Sequence, residues 1–329
     1  MNENESAVVD VVVIGGGAAG LSGGVTLARS RRSVVVVDAG EPRNAPAAGV
    51  HALLGREGVP PGELLERGRA ELEGYGGALV RGEVMAATAD DGGFAVVLAG
   101  GRTLHARRLL VTTGLVDQLP AVPGLRERWG RDVLHCPYCH GWEVRDRAIG
   151  ILATTPLSVH QALLFRQLSD DIVYFTAGAG MPAAEDAEKL DALGIRIIEG
   201  QVTGLEVADD RLTGVRLTDG AVVGLDALAV GSRMVARSAV LDGLGLEATT
   251  HPMGEFIAVD ATGRTAVAGV WAAGNVSDLS AQVGMAAAQG AFAAAQINAD
   301  LVVEDAQIAV ARHRERGKMD AWSASRTSP

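Results

Sequence analysis

The chain contains two cysteines, Cys136 and Cys139, and only Pro137 and Tyr138 separate them. That spacing lets the two sulfurs close a disulfide within one short turn, and it lets the local field hold one of them as thiolate, the reactive form. A single pair cannot be the framework of a disulfide-rich secreted fold. Zinc would need two more ligands, with His135 and His140 nearest, and drawing all four from residues 135–140 makes poor tetrahedral geometry. No metal site is therefore expected, and thiol–disulfide exchange is the chemistry this motif favours. His140 extends it, because an imidazole beside a cysteine pair can take the proton of an incoming thiol or stabilise a thiolate near neutral pH. Cys136, Cys139 and His140 are the candidate catalytic residues, with Trp142 and Glu143 as anchors of the motif.

A second constellation lies near the N-terminus. Gly15, Gly17 and Gly20 satisfy G-x-G-x-x-G, with Ala18 and Ala19 inside the motif. The first glycine permits a tight turn, the second lets a pyrophosphate approach the backbone, and the third allows close helix packing. The helix that follows presents its N-terminus to phosphate charge. Asp38 ends the next β-branched run, where a carboxylate can accept hydrogen bonds from both ribose hydroxyls and disfavours a 2′-phosphate. FAD and NAD both satisfy these residues. Gly274 and Asn275, after an apolar run late in the chain, stand where a residue can hydrogen-bond ribityl or phosphate oxygens.

The elements that must position these groups are read from periodicity. Residues 8–14 form a β-branched strand, residues to about 31 a helix, and 33–37 a second strand, which together make a βαβ unit. An amphipathic helix over 63–75 and strands over 78–84, 94–98 and 108–112 follow. Residues 119–124 cross to a second domain, and from 148 the alternation restarts with strands at 148–153, 171–175 and 196–199 and helices at 158–168 and 183–193. After Gly231 the chain returns to the first domain, with a strand over 269–273 and an Ala-rich helix over 281–303. The expected fold is α/β with two Rossmann-like, three-layer domains, the first discontinuous. Its boundaries are set at 1–117 and 237–311 for the dinucleotide-binding domain, 118–236 for the inserted unit carrying the cysteines, and 312–329 for a flexible tail.

Composition fits this plan. Hydrophobic residues make up 48% of the 329, and 43 glycines suit tightly turned α/β units. The net charge of −11 argues against nucleic acid or an anionic membrane as partner, since phosphate binding needs clustered Lys and Arg. No apolar run reaches the roughly 18 residues of a membrane span, and the N-terminal residues 1–10 lack the basic start of a signal peptide. A cytoplasmic enzyme is the expectation.

Together these residues resemble the thioredoxin reductase superfamily: Gly15 to Gly20, Asp38, Thr113–Gly114 at the first crossover, the CxxC in an inserted domain, and the late run from Val270 to Asn275. The resemblance spans residues 8–303 and implies FAD in the discontinuous domain, Gly114 among the residues that hold it, and a homodimer. Three features depart from that pattern. The strand over 148–153 runs into Thr154-Thr155-Pro156-Leu157-Ser158 with no glycine to admit a pyrophosphate, and no basic cluster follows residue 175. His140 replaces the family's acid after the second cysteine, and Asn275 replaces its late Asp. The run from Cys136 to Glu143 is similar to the motif of dithiol oxidases that close disulfides in natural products of the gliotoxin and holomycin type. That resemblance implies a small-molecule dithiol as substrate, O2 as electron acceptor and H2O2 as product. Cys136 would then be the exposed sulfur that exchanges with substrate, Cys139 the sulfur against the flavin, and His140 the base. The alternatives are a disulfide reductase drawing electrons from NADPH or from a donor such as ferredoxin, and a redox sensor that does not turn over.

Overall fold

The computed structural model describes residues 8–326; residues 1–7, read above for a secretion signal, and 327–329, the end of the expected tail, lie outside the described residues. Strands β1 (Val9–Ile14), β2 (Val34–Asp38), β3 (Ala78–Arg81) and β6 (Thr103–Val111) form the parallel part of one sheet, in the order β3-β2-β1-β6. Val11, Val12 and Val13 of the central β1 are fully buried, which is why this strand reads as an unbroken β-branched run and not as an alternation. β4 (Val84–Asp90) and β5 (Gly93–Leu98) extend the sheet as an antiparallel hairpin beside β6. On the same edge of β6, beyond the end of β5, β19 (Val270–Ala272) pairs in parallel through Val270 and Leu109, so a segment from late in the chain completes the first domain.

Helices α1 (Ala18–Arg29), α2 (Pro61–Gly74) and α7 (Val283–Arg326) accompany this sheet. α1 and α7 cross with their backbones touching: a Cβ on Gly290 would lie 2.0 Å from the Ala19 carbonyl oxygen. α7 is also latched to the sheet by charge. Arg107 meets Asp10, Glu304 and Asp305, Arg108 meets Asp300 and Glu304, and Arg32 meets Asp305. The flexible tail expected from residue 312 is therefore corrected: the helix that the sequence pattern ended at 303 continues to Arg326. A helix already nucleated and packed extends at little cost even without an apolar stripe.

The inserted domain is a second parallel sheet of β8 (Val133–Leu134), β9 (Ile149–Leu152), β10 (Ile172–Phe175), β11 (Arg196–Ile198) and β15 (Ala227–Val230), ordered β11-β10-β9-β15-β8. α5 (Leu157–Phe165) and α6 (Ala184–Ala192) pack on one face. The other face is covered by an antiparallel meander of β12 (Val202–Ala208), β13 (Arg211–Leu217) and β14 (Val222–Gly224) that periodicity did not predict. Its first turn puts both Asp209 and Asp210 at positive φ, the geometry of a two-residue hairpin.

Between the domains the chain crosses twice, and the two crossings pair. β7 (Leu115–Gln118) runs antiparallel to β16 (Arg233–Ala236), and β18 (Gly254–Phe256) with β17 (Thr249–His251) widens this connecting sheet. α3 (Leu125–Arg128) and α4 (Pro137–His140) are single turns, and α4 carries the cysteine motif. Among the described residues no helix is long and apolar enough to cross a membrane.

Candidate active site

A cavity of ≈1600 Å³ runs from the glycine-rich turn to the cysteines. At one end β1 turns into α1 through Gly15, whose φ of +108° is open to glycine and seldom to other residues. A Cβ on Gly20 would lie 1.8 Å from the Gly15 carbonyl oxygen, so Gly20 is a packing glycine and does not face the cavity. Gly17 is the opposite case, with no protein atom within 4 Å of where its Cβ would be. It lines the cavity with Gly15, Ala18 and Ala19, and its surroundings leave the backbone approachable. Asp38 ends β2 beside this turn, its Oδ1 accepting from the Gly40 amide at 3.2 Å and the Gly16 amide at 3.4 Å, while Oδ2 accepts from Arg69 of α2 at 3.1 Å. Nothing in the spacing of the motif points to this arginine, which arrives from a helix beyond the βαβ unit.

Gly114, at φ +70°, follows β6 with open space about it and also lines the cavity. Gly274 and Asn275 line it too, but their donors are committed within the protein. The Gly274 amide donates to Gln289, and Asn275 Nδ2 donates to the carbonyls of Asp278 and Ala281. The expectation that Asn275 offers its side chain to ribityl or phosphate oxygens is thus narrowed to its Oδ1, because the amide is used to shape the turn into α7.

At the other end stand Cys136 and Cys139, free thiols with their sulfurs 2.9 Å apart. Cys136 is the N-cap of α4 and Pro137 its first residue, so the turn begins with φ preset and its free amides directed back at the cap. The hydrogen bond from the Cys139 thiol, followed by the amides of Cys139 and Tyr138 and the charge of Arg43, outweighs burial and lowers the Cys136 thiol to about 6. Cys139 is pushed up, chiefly because its proton is the one shared with Cys136. Cys139 is the exposed sulfur and Cys136 the half-buried one. This reverses the exposure that the resemblance implied, because the capping position draws Cys136 toward Gln282 at the start of α7, 4.0 Å from its sulfur.

The thiolate makes a direct prediction. In the reduced protein, alkylation of Cys136 by iodoacetamide, followed by peptide mass spectrometry, should rise through about pH 6 and level off by neutrality. A rate still climbing above pH 8, as for an ordinary thiol, would refute the assignment.

Arg43 is held by Asp117 of β7 through two hydrogen bonds, of 2.6 and 2.8 Å, and Asp117 also accepts from Ser232 at 2.6 Å. Burial works to raise Asp117, yet these partners keep it below the usual carboxylate range. The first domain thereby brings a fixed cation to the crossover and within reach of both sulfurs. His140, on the last residue of α4, is half-buried. Burial, aided by His51 and opposed by Glu143, holds its imidazole below the ordinary histidine value. A neutral His140 at pH 7 is able to accept a proton. His135 points elsewhere, its Nδ1 3.2 Å from the Val230 carbonyl.

The chain matches the model of the pyridine nucleotide-disulphide oxidoreductase family over residues 9–295. It belongs to that family. Thioredoxin reductase tcpT of Claviceps purpurea is 33% identical over 294 residues, which cover 82% of this chain and 87% of that protein. Among solved structures, HlmI is 47% identical, with a TM-score of 0.89 over 94% of this chain and 98% of its own. An oxidoreductase from Agrobacterium tumefaciens is 35% identical, with a TM-score of 0.85 over 90% and 99%. The family makes this chain a flavin-dependent thiol–disulfide oxidoreductase with two Rossmann-like domains.

The family is named for a pyridine nucleotide, and a nucleotide in the inserted domain would have to lie at the turn from β9 to α5. There the hydroxyl of Ser158, a buried residue, accepts from the Thr154 amide at 3.1 Å and the Thr155 amide at 3.4 Å, while the Thr154 hydroxyl donates to the Gly231 carbonyl. The amides that would meet a pyrophosphate are satisfied internally. Beyond β10, the charged residues of α6 include Glu185 and Asp186, which both pair with Lys189.

Proposed function

We propose that this chain is an FAD-dependent dithiol oxidase that forms a disulfide in a small-molecule dithiol through Cys136 and Cys139. The observation that carries the reading is the closed β9–α5 turn, where Ser158 occupies the amides a pyridine nucleotide would need. With that donor disfavoured, electrons must arrive from thiols. The cradle fits FAD: an approachable turn at Gly15 and Gly17, Asp38 beside it, and a continuous cavity reaching the cysteines. Gly15, Gly17, Ala18, Ala19, Asp38 and Gly114 would hold the cofactor, with Gly274 and Asn275 shaping its far wall and Gly20 holding α1 in place. Bound there, FAD would supply an acceptor for an electron pair and its passage to O2, giving H2O2.

The protein's own residues account for the exchange. His140 takes the proton of a substrate thiol, and the resulting thiolate attacks Cys136 of the disulfide, releasing Cys139. The second substrate thiol then attacks the sulfur joined to Cys136 and displaces Cys136 as thiolate. One substrate disulfide forms, and both cysteines end reduced by the same two electrons. A lowered thiol pKa makes Cys136 the better leaving group in the second step, so its role rests on acidity and not on exposure. A small dithiol and O2 are the partners in this reading, with the homodimer that the resemblance implies.

Anaerobic stopped-flow mixing tests it. Dithiothreitol should bleach the flavin band and NADPH should not; rapid bleaching by NADPH would overturn the proposal. That outcome would favour the second reading, a disulfide reductase fed by NADPH or another donor, which draws support from relatives named as thioredoxin reductases.

A further inference from the structure

Beside the cysteine motif lies a cluster of titratable groups that no step above uses. It begins in the loop after β2, where an isolated bridge between Val50 and Val59 closes a short excursion. Within it Ala52 sits at φ +56°, a conformation that L side chains seldom adopt. One carboxylate holds it there. Glu57 Oε2 accepts from the Ala52 amide at 2.9 Å, and Glu57 Oε1 meets His51 Nδ1 at 2.6 Å. Glu57 is held below its ordinary carboxylate value, first by His51 and then by the Ala52 amide. An ionised Glu57 can only accept, so Nδ1 of His51 carries a proton toward it, and whenever His51 is neutral its lone pair is on Nε2. Nε2 lies 3.5 Å from Glu143 Oε1, and the His51 ring stands edge-on to His140 with centroids 6.5 Å apart. Two histidines from different domains therefore meet across one carboxylate, next to the dithiol.

We propose that Glu57, His51 and Glu143 form a proton relay that empties His140 after each thiol is deprotonated. This deepens the dithiol-oxidase reading and rests on it. The dithiol loses two electrons and two protons on becoming a disulfide. Electrons leave through Cys136 and Cys139; a proton taken by His140 passes to His51 Nε2 beside Glu143, and His51, with Nδ1 held by Glu57, releases it to solvent. The relay itself changes only S–H and N–H bonds and, on release to water, an O–H bond; the S–S bonds change in the exchange at Cys136 and Cys139. His51 and Glu143 act through His140, so they are positioning residues. Glu143 and His51 are the groups whose charge reaches His140; His51 in turn faces Glu57, Glu143 and His140. His160 of α5 lines the same cavity and stays unchanged in the variants below.

The test uses reduced, flavin-loaded protein. Because a protonated His51 depresses His140 and the Glu143 carboxylate lifts it, the NMR titration midpoint of His140 should rise in His51→Gln and fall in Glu143→Gln. The acid limb of the pH profile for anaerobic bleaching by dithiothreitol should move in the same two directions. Near neutral pH His51→Gln should bleach about tenfold or more slowly, with the rate recovered by added imidazole. An unchanged midpoint, shifts of the same sign in both variants, or a wild-type rate in His51→Gln would overturn the relay. Should His51→Gln fail to retain flavin, Glu57→Gln, altered at an exposed carboxylate, carries the rate and rescue measurements. Failure of the dithiol-oxidase reading looks different: wild-type protein is then not bleached by dithiothreitol, whatever His140 does.

Discussion

In Cys136→Ser, flavin reduction by a dithiol should fall on the order of 10⁴-fold, while the flavin stays bound. The residue is not needed to hold the cofactor, since the cradle at Gly15 and Gly17 lies at the other end of the cavity. What is lost is the exchange itself. A hydroxyl neither forms the disulfide that substrate must open nor carries charge where the amides of Tyr138 and Cys139 favour it. Cys139→Ser should lose turnover as well but differ in a readable way, because Cys136 keeps its N-cap position and its thiolate can open the oxidised, disulfide form of the substrate, releasing the other substrate sulfur as thiolate and leaving a trapped mixed disulfide. Stopped-flow absorbance and intact-protein mass spectrometry separate the two variants. Appreciable turnover in Cys136→Ser would remove the cysteine pair from the mechanism altogether.

Two glycines five residues or fewer from each other should fail for opposite reasons. Gly20→Ala places a methyl 1.8 Å from the Gly15 carbonyl oxygen, against backbone that cannot yield without moving α1 off β1. We expect a loss on the order of 3 kcal/mol in stability, together with loss of the flavin. Gly17→Ala meets no protein atom within 4 Å, so the apoprotein should melt as the wild type does. Its flavin should nevertheless be lost, because the methyl enters the space through which a pyrophosphate approaches the turn. Thermal melts of the apoproteins and the ratio of flavin to protein absorbance decide this pair. Normal flavin content in Gly17→Ala would place the cofactor elsewhere.

The contrast between those glycines shows how far local sequence reaches. G-x-G-x-x-G identified the turn, and the strand, helix and strand around it were legible because each is a short element with its own period. The motif also distinguished a glycine open to a ligand, Gly17, from one that packs, Gly20; what it could not name are the atoms behind the difference, the Gly15 carbonyl against Gly20 and the empty space at Gly17. Asp38 was legible for the same local reason, whereas Arg69, which occupies one of its oxygens, comes from a helix that periodicity locates without orienting.

The helical course of residues 312–326 is not legible in the sequence because the stretch carries no apolar stripe. α7 is held instead by its glycine crossing with α1 and by Arg32, Arg107 and Arg108, all distant in sequence from Asp300, Glu304 and Asp305. The pairing of β7 with β16 was hidden likewise, since two four-residue strands carry little pattern and their register exists only once both domains have formed.

By itself the sequence determined a two-Rossmann chain with one dithiol, a nucleotide turn, and a β9–α5 link without glycine. These are properties of residue type and short spacing, where chemistry and backbone geometry act within a few bonds. The tertiary structure decided that Cys136 is the half-buried, acidic sulfur and that Ser158 closes the second nucleotide turn. It also brought Arg43 within charge range of both sulfurs, and His51, held by Glu57, beside His140. Burial, charge and proton position are set by neighbours in space, and for this dithiol the fixed cation among them, Arg43, comes from a loop that precedes it by most of a domain.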